Sequence, residues 1–166
     1  MRNLWIILII IIPTVLGKAS EPFKKLDVFY TFDLKEIVVK SVKETDLKLL
    51  SKLVDAENGS EQPFESNLIV AQTVINRATR KNQSIKNTIF EKNQYYAVTN
   101  RRWKSNHKID SSIILSAEMI LKGYRPAPED IEYFTGAFDT DKKWLTKISK
   151  SKWKKIGYHT FHHRLK

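Results

Sequence analysis

The sequence predicts an α+β fold in a single domain: a helical core with a small antiparallel sheet forming one wall of a cleft. Two observations carry that expectation. Between Asp46 and Leu121 apolar residues recur at helical spacing, and beyond Ile131 they fall into short aromatic and β-branched runs. The chain has 166 residues, 42% hydrophobic and 28% charged, enough for one real core and scarcely for two. Five Gly and five Pro exclude collagen-like and disordered classes. The lack of cysteine excludes a disulfide framework, a thiolate zinc site and a cysteine nucleophile.

The N-terminus reads as an address. Met1-Arg2-Asn3 is a short basic start, Leu4 to Leu16 is apolar, and Gly17-Lys18-Ala19-Ser20 offers small residues for cleavage. Thirteen apolar residues fall short of the roughly 20 that span a bilayer as a helix, so residues 1–19 are expected to be a signal peptide for export. An uncleaved anchor is the alternative. Residues 20–45 form an extension that reads two ways. Val28 to Phe32 suits a strand, whereas Asp33 with Glu36 could cap a helix carrying Leu34, Ile37, Val38 and Val42.

Residues 46–166 are the predicted working domain. Leu47, Leu50, Leu53, Val54 and Glu57 define a first helix, from about Asp46 to Glu57, ended by Asn58-Gly59-Ser60. Pro63 suits a first helical position and opens a second helix to about Arg80. Its apolar residues from Leu68 to Ala78 surround most of its girth, so it should be the buried central helix. A short helical turn near Asn87 to Lys92 follows. Asp110 then caps a helix carrying Ile113, Ile114, Ala117, Ile120 and Leu121, stopped by Gly123 and Pro126. Ile131 to Phe138, Trp144 to Ile148 and Ile156 to His162 are the expected strands.

Glu57 extends the apolar stripe of its helix. A carboxylate there is either paired, closing the helix end, or protonated through a raised pKa, as a general acid requires. Gln72 and Asn76 share one face of the second helix and read as core amides satisfied by neighbouring backbone. Gln94-Tyr95-Tyr96 sets an amide beside two rings, a combination that suits sugars or a packed loop equally. His159, His162 and His163 invite a metal reading, but no carboxylate cluster accompanies them, so neither a metal nor any other cofactor is expected.

Charge points to anionic partners. Lys and Arg number 29 against 18 Asp and Glu, and nine of the basic residues lie between Lys142 and Lys166 without one acid among them. Trp144, Trp153, Tyr158 and Phe161 are interleaved. Such a segment either binds a polyanion or protects a sheet edge with lysines. Behind an export signal the expected polyanions are anionic envelope polymers, and no nucleic acid partner is expected.

In order along the chain these residues resemble the cell wall hydrolase family related to the spore-cortex-lytic enzymes. The matching stretches are Leu49 to Ala56-Glu57, Val70-Ala71-Gln72 to Ile75-Asn76-Arg77, Asn87-Thr88-Ile89, Gln94-Tyr95, Tyr133-Phe134, Lys143-Trp144 and His159-Thr160-Phe161. The resemblance covers residues 46–163 and implies a lysozyme- or transglycosylase-like catalytic domain. By this resemblance Glu57 is the catalytic acid and Glu61 is the candidate second carboxylate. Gln94, Tyr95, Tyr133, Trp144 and His159 bind substrate, while Gln72, Asn76 and Arg77 support the site. Two departures stand out. The pattern's Ala-Arg-Gly after the glutamate reads Asn58-Gly59-Ser60, and its Asn-Pro after the aromatic strand reads Gly136-Ala137.

The resemblance implies cleavage of peptidoglycan glycan strands at the β-1,4 bond between N-acetylmuramic acid and N-acetylglucosamine. With no second carboxylate in family context apart from Glu61, a lytic transglycosylase is favoured over a hydrolase, which normally needs two. The competing reading from another class is a non-enzymatic cationic module that binds cell wall or nucleic acid.

Overall fold

The computed structural model describes residues 41–59, 61–136 and 142–165. Among them the elements run α1 (Glu44–Asn58), α2 (Phe64–Lys81), α3 (Ile85–Ile89), a 3-10 turn (Tyr96–Thr99), α4 (Arg101–Lys104) and α5 (Ser111–Leu121). Then come β1 (Ile131–Thr135), α6 (Lys142–Ser149), β2 (Lys152–Ile156) and β3 (His159–His163). This is the expected α+β arrangement. The signal segment and the alternatives around Val28 and Asp33 lie outside the described residues. No described helix is long and apolar enough to cross a membrane.

α2 is the centre. It is buried from Ser66 to Ala78 with Ile75 the one partly covered position, and it packs against α1, α5 and β1. Leu50, Leu53 and Val54 of α1 meet Leu68, Ile69, Val70 and Val74 of α2, with Ile113, Ala117 and Ile120 of α5 closing the cluster. Each such side chain contributes about 1.5–3 kcal/mol by leaving water. The ends follow local chemistry. Asn82 takes the left-handed conformation that stops α2, and the Asp110 side chain accepts the Ser112 N–H at 2.7 Å to start α5.

A helix buried all round leaves its polar side chains facing protein, and they are used as ties. Gln72 behaves like a strand neighbour to Ala127, donating Nε2–H to its carbonyl at 2.6 Å and accepting its N–H at 2.9 Å. Asn76 donates to the carbonyls of Ile131 (2.8 Å) and Pro128 (3.2 Å). Both residues are the core amides expected from the sequence, and they deliver the chain from α5 into β1.

The sheet has the order β1-β3-β2, antiparallel throughout. Its register slips between Ile131 and Tyr133 in β1 and between Lys152 and Lys154 in β2, leaving Glu132 and Trp153 as the extra residues. Glu132 turns into the protein and is held by Arg80 Nε at 2.7 and 2.9 Å and by Arg164 at 3.4 Å. The β2–β3 turn rests on the start of α2, where the Gln62 side-chain carbonyl accepts the Tyr158 N–H at 2.9 Å. Gly157, at φ +57°, has no room for a side chain there: a Cβ would lie 2.1 Å from Gln62 Oε1.

Two expectations are corrected. Trp144 to Ile148 is helical, inside α6, not a strand. Its covered residues, Trp144, Leu145 and Ile148, follow helical spacing, while Thr146 and Lys147 face solvent. Aromatic and β-branched content suggested a strand; spacing decided otherwise. Likewise Ile156 to His162 is not one strand but the end of β2, a turn at Gly157-Tyr158, and β3. β2 was hidden because its sequence, Lys-Trp-Lys-Lys-Ile, is polar, as an exposed edge strand can be.

Replacing Gln72 with Leu keeps its volume but leaves the Ala127 N–H and carbonyl unpaired. We expect a loss of about 1–3 kcal/mol for each group, read as a lower midpoint in urea unfolding.

Candidate active site

Glu57 lies in the last turn of α1, half-buried, as its place on the apolar stripe requires. The next residue anchors the helix end. Asn58 donates to Asn67 Oδ1 at 2.7 Å and to Ser66 Oγ at 3.3 Å, and Ser66 Oγ lies 3.5 Å from His159 Nδ1. One network therefore joins the end of α1, the first turn of α2 and the first residue of β3. All four residues are buried, so the network sits in low dielectric, where its hydrogen bonds are strong.

Beside it stands a wall of rings. Tyr95 packs against Phe134 (centroids 6.4 Å), and Phe134 meets the His159 ring edge-on at 4.9 Å. The Arg77 guanidinium lies over both Tyr95 (5.3 Å) and Tyr133 (5.5 Å), and Tyr133 meets Trp144 edge-on at 5.4 Å. Burial pushes the Tyr95 phenol up to about 12 against the pull of Arg77, and the charge of Glu57 acts in the same direction as burial. Glu57 and Tyr95 are thus electrostatic neighbours although 38 residues apart in the chain.

The residues singled out from sequence differ in how they are placed. Tyr133 and Trp144 are half-buried and present ring surface. Tyr95 and His159 are each only 5% exposed, so their rings back the wall and do not offer open stacking faces. Gln94 is half-buried, with its N–H on the Glu91 carbonyl at 3.2 Å. Arg77, 3% exposed, supports from behind, with Glu91 at 4.0 Å. Glu61 is exposed, across the Gly59 turn from Glu57.

The three C-terminal histidines are engaged separately: His159 with Ser66, His162 Nε2 with Thr135 Oγ1 at 3.1 Å, and His163 with Asp130 at 3.0 Å. Sequence reasoning missed α4 and its neighbours altogether. Arg102 donates to both oxygens of buried Asp55, at 3.0 and 2.7 Å, and His107 Nε2 reaches the same carboxylate at 2.7 Å. The available signal was Asn100, a cap residue before Arg-Arg-Trp-Lys, whose side chain accepts the Trp103 N–H at 2.8 Å.

His162 supplies a pH test of this corner. It is buried, and desolvation holds its pKa below the ordinary 6.5, with the charges of Lys152 and His163 acting the same way. A histidine whose folded pKa is lowered contributes stability that is present above its unfolded pKa and lost as pH falls through the folded one. We expect urea stability to fall on acidification below 6.5. That dependence should be shallower in His162→Asn.

The Cell Wall Hydrolase family model matches residues 61–162, more than half of the chain. The match begins just after α1, so it does not itself include Glu57. Among solved structures, the chain is similar to the catalytic domain of the Bacillus cereus SleB protein (TM-score 0.61, 21% identity), covering 77% of this chain and 97% of that one. It is similar also to the catalytic domain of the germination-specific lytic transglycosylase SleB from Bacillus anthracis (TM-score 0.62, 20% identity), covering 74% and 98%. Both shares exceed what residues 61–166 alone can supply, so the shared fold extends upstream of Glu61, where α1 lies. No curated protein sequence is significantly similar. With the matched segment spanning α2 to β3, and the same fold in both solved domains, this chain belongs to the Cell Wall Hydrolase family.

Proposed function

We propose that the protein cleaves peptidoglycan glycan strands between N-acetylmuramic acid and N-acetylglucosamine as a lytic transglycosylase, with Glu57 as its acid and base. The observation that carries this reading is the setting of Glu57: half-buried at an anchored helix end, an electrostatic neighbour of Tyr95, whose ring is linked through Arg77 to Tyr133 and Trp144. Family membership and the transglycosylase described among its structural neighbours support it.

In this mechanism protonated Glu57 gives its proton to the glycosidic oxygen as the bond to the anomeric carbon breaks. The carboxylate then takes the proton of the muramyl 6-hydroxyl while that oxygen bonds to the same carbon. One carboxylate thus serves both steps, no water is consumed, and the product is an anhydromuramyl end. Tyr133 and Trp144 offer aromatic surface to the sugar faces, and Gln94 an amide to its hydroxyls. Hydrolysis needs a second carboxylate, ~5–5.5 Å away for retention or ~6.5–9.5 Å for inversion. The carboxylate two residues before Glu57, Asp55, is already held by Arg102 and His107, and Glu61 is exposed.

The same reading places the substrate outside the cytoplasm, with residues 1–19 as the export signal. It assigns the basic C-terminal face to anionic envelope polymers. Lys143, Lys147, Lys150, Lys152 and Lys155 are exposed, whereas Lys154 pairs with Glu65 at 2.7 Å.

Digestion of purified peptidoglycan, read by mass spectrometry, tests the chemistry. Anhydromuramyl ends are expected, and Glu57→Gln should abolish their release with the fold intact. Reducing muramyl ends would mean hydrolysis and direct attention to Glu61; full activity in Glu57→Gln would sink the assignment. For the basic face, charge reversal at Lys150, Lys152 and Lys155 should weaken wall binding at least about tenfold, at roughly 1 kcal/mol per cation, and reduce its salt dependence. Cleavage of soluble strands should survive that change; if cleavage fails and binding persists, the surface reading is wrong.

A further inference from the structure

We propose that Arg102 is a positioning residue for Glu57, acting from α4 as one half of a clamp on the last turn of α1. The inference rests on the reading of Glu57 as the acid. Three contacts bracket that residue in the chain. Two positions before it, Asp55 is 1% exposed, and its carboxylate takes the Arg102 fork through Nε (3.0 Å) and Nη2 (2.7 Å). One position before it, the Ala56 carbonyl accepts from Asn100 Nδ2 at 3.2 Å. Two positions after it, Gly59 turns the chain at φ +65°, its N–H on the Asp55 carbonyl at 2.9 Å. The Arg102 guanidinium lies 3.7 Å from where a Gly59 side chain would begin.

Asp55 projects on the side of α1 roughly opposite Glu57, since two residues turn an α-helix by about 200°. Holding Asp55 therefore sets the rotation of the final turn, while the Asn58 network holds its axial end from the other direction. Removing one partner of so deeply buried a pair is costly, and the planar fork fixes orientation as well as charge. α4 itself is pinned by Lys52 over the Trp103 ring at 5.1 Å and by the Asn100 cap. His107 adds a second donor to Asp55, and Ser105 bonds His107 in turn. An open groove of about 530 Å³ lined by Arg102, His107 and Ile109 leaves this clamp solvent-accessible on its outer side.

The role predicts a specific kinetic signature. A catalytic group displaced by about 1 Å loses on the order of 100-fold in rate without losing substrate contacts. With soluble, uncrosslinked glycan strands as substrate, Arg102→Ala should lower kcat about 10–100-fold and leave KM within about twofold. Arg102→Lys, which keeps the charge and loses the fork, should recover part of the rate. Asp55→Asn should resemble Arg102→Ala, and the double variant should be little worse than either, because the two residues act as a unit. Undiminished kcat in folded Arg102→Ala, a defect confined to KM, or fully additive losses would each overturn the proposal. Should Arg102→Ala not fold, Arg102→Lys decides in the same assay: wild-type kcat overturns the clamp, and a reduced kcat at unchanged KM supports it. Glu57→Gln run in parallel separates the two readings. If it stays active, the assignment of Glu57 fails; if it is dead while Arg102→Ala is fully active, only the clamp fails.

Discussion

The burial of α2 on every side is the constraint from which the rest of the structure follows. A helix with one wet face can point its polar side chains outward, but Ser66, Asn67, Gln72, Thr73, Asn76 and Arg77 have no such choice. Each buried polar group must find a partner or cost about 1–3 kcal/mol. The partners they find lie on different elements: Asn58 of α1 and His159 of β3 near the N-terminal end, Ala127 and Ile131 along the middle, and the rings of Tyr95 and Tyr133 around Arg77. Hydrophobic packing brings these elements close, and the polar ties choose their register.

The site inherits its rigidity from those ties. Glu57 sits at a helix end, the part of a helix with the fewest internal hydrogen bonds and the greatest freedom to fray. Here that freedom is removed from two directions, by the Asn58 network toward α2 and β3 and by the Asp55–Arg102 pair toward α4. The proposed single-carboxylate chemistry needs such restraint, because one group must reach both the leaving oxygen and the attacking hydroxyl. A general acid on a frayed helix end would meet neither in a defined order.

Outside the core the molecule shows a different economy of charge. Among the described residues Asp55, Glu65, Glu91, Glu118 and Glu132 each have a Lys or Arg in contact. The excess is cationic and is concentrated where acids are missing, on α6 and the exposed strand β2. The lysines of β2 guard an open sheet edge and present positive charge at the same time. One arrangement meets both demands, so the edge-protection and polyanion readings of this segment are compatible.

How much of this was legible beforehand depended on whether a residue's neighbours were close in the chain. The periods of α1, α2 and α5, the caps at Asp110 and Gly59, and the placement of Glu57 on an apolar stripe are local patterns, and the sequence alone determined them. The ordered motifs from Ala56-Glu57 to His159-Thr160-Phe161 determined the family as well. Trp144 to Ile148 was misread because residue type suggests a strand while only burial reveals the helical period. β2 was missed because an edge strand carries no apolar alternation. Tyr95 suited a sugar contact by residue type and His159 by family resemblance; only packing against Phe134 and the approach of Arg77 and Ser66 shows that their rings are covered. Asp55, Arg102 and His107 are separated by about fifty residues, and no periodicity links them. Only the tertiary structure, by burying Asp55 against Arg102 and His107, decided that those three meet, and so decided what the proposed clamp on the catalytic acid is made of.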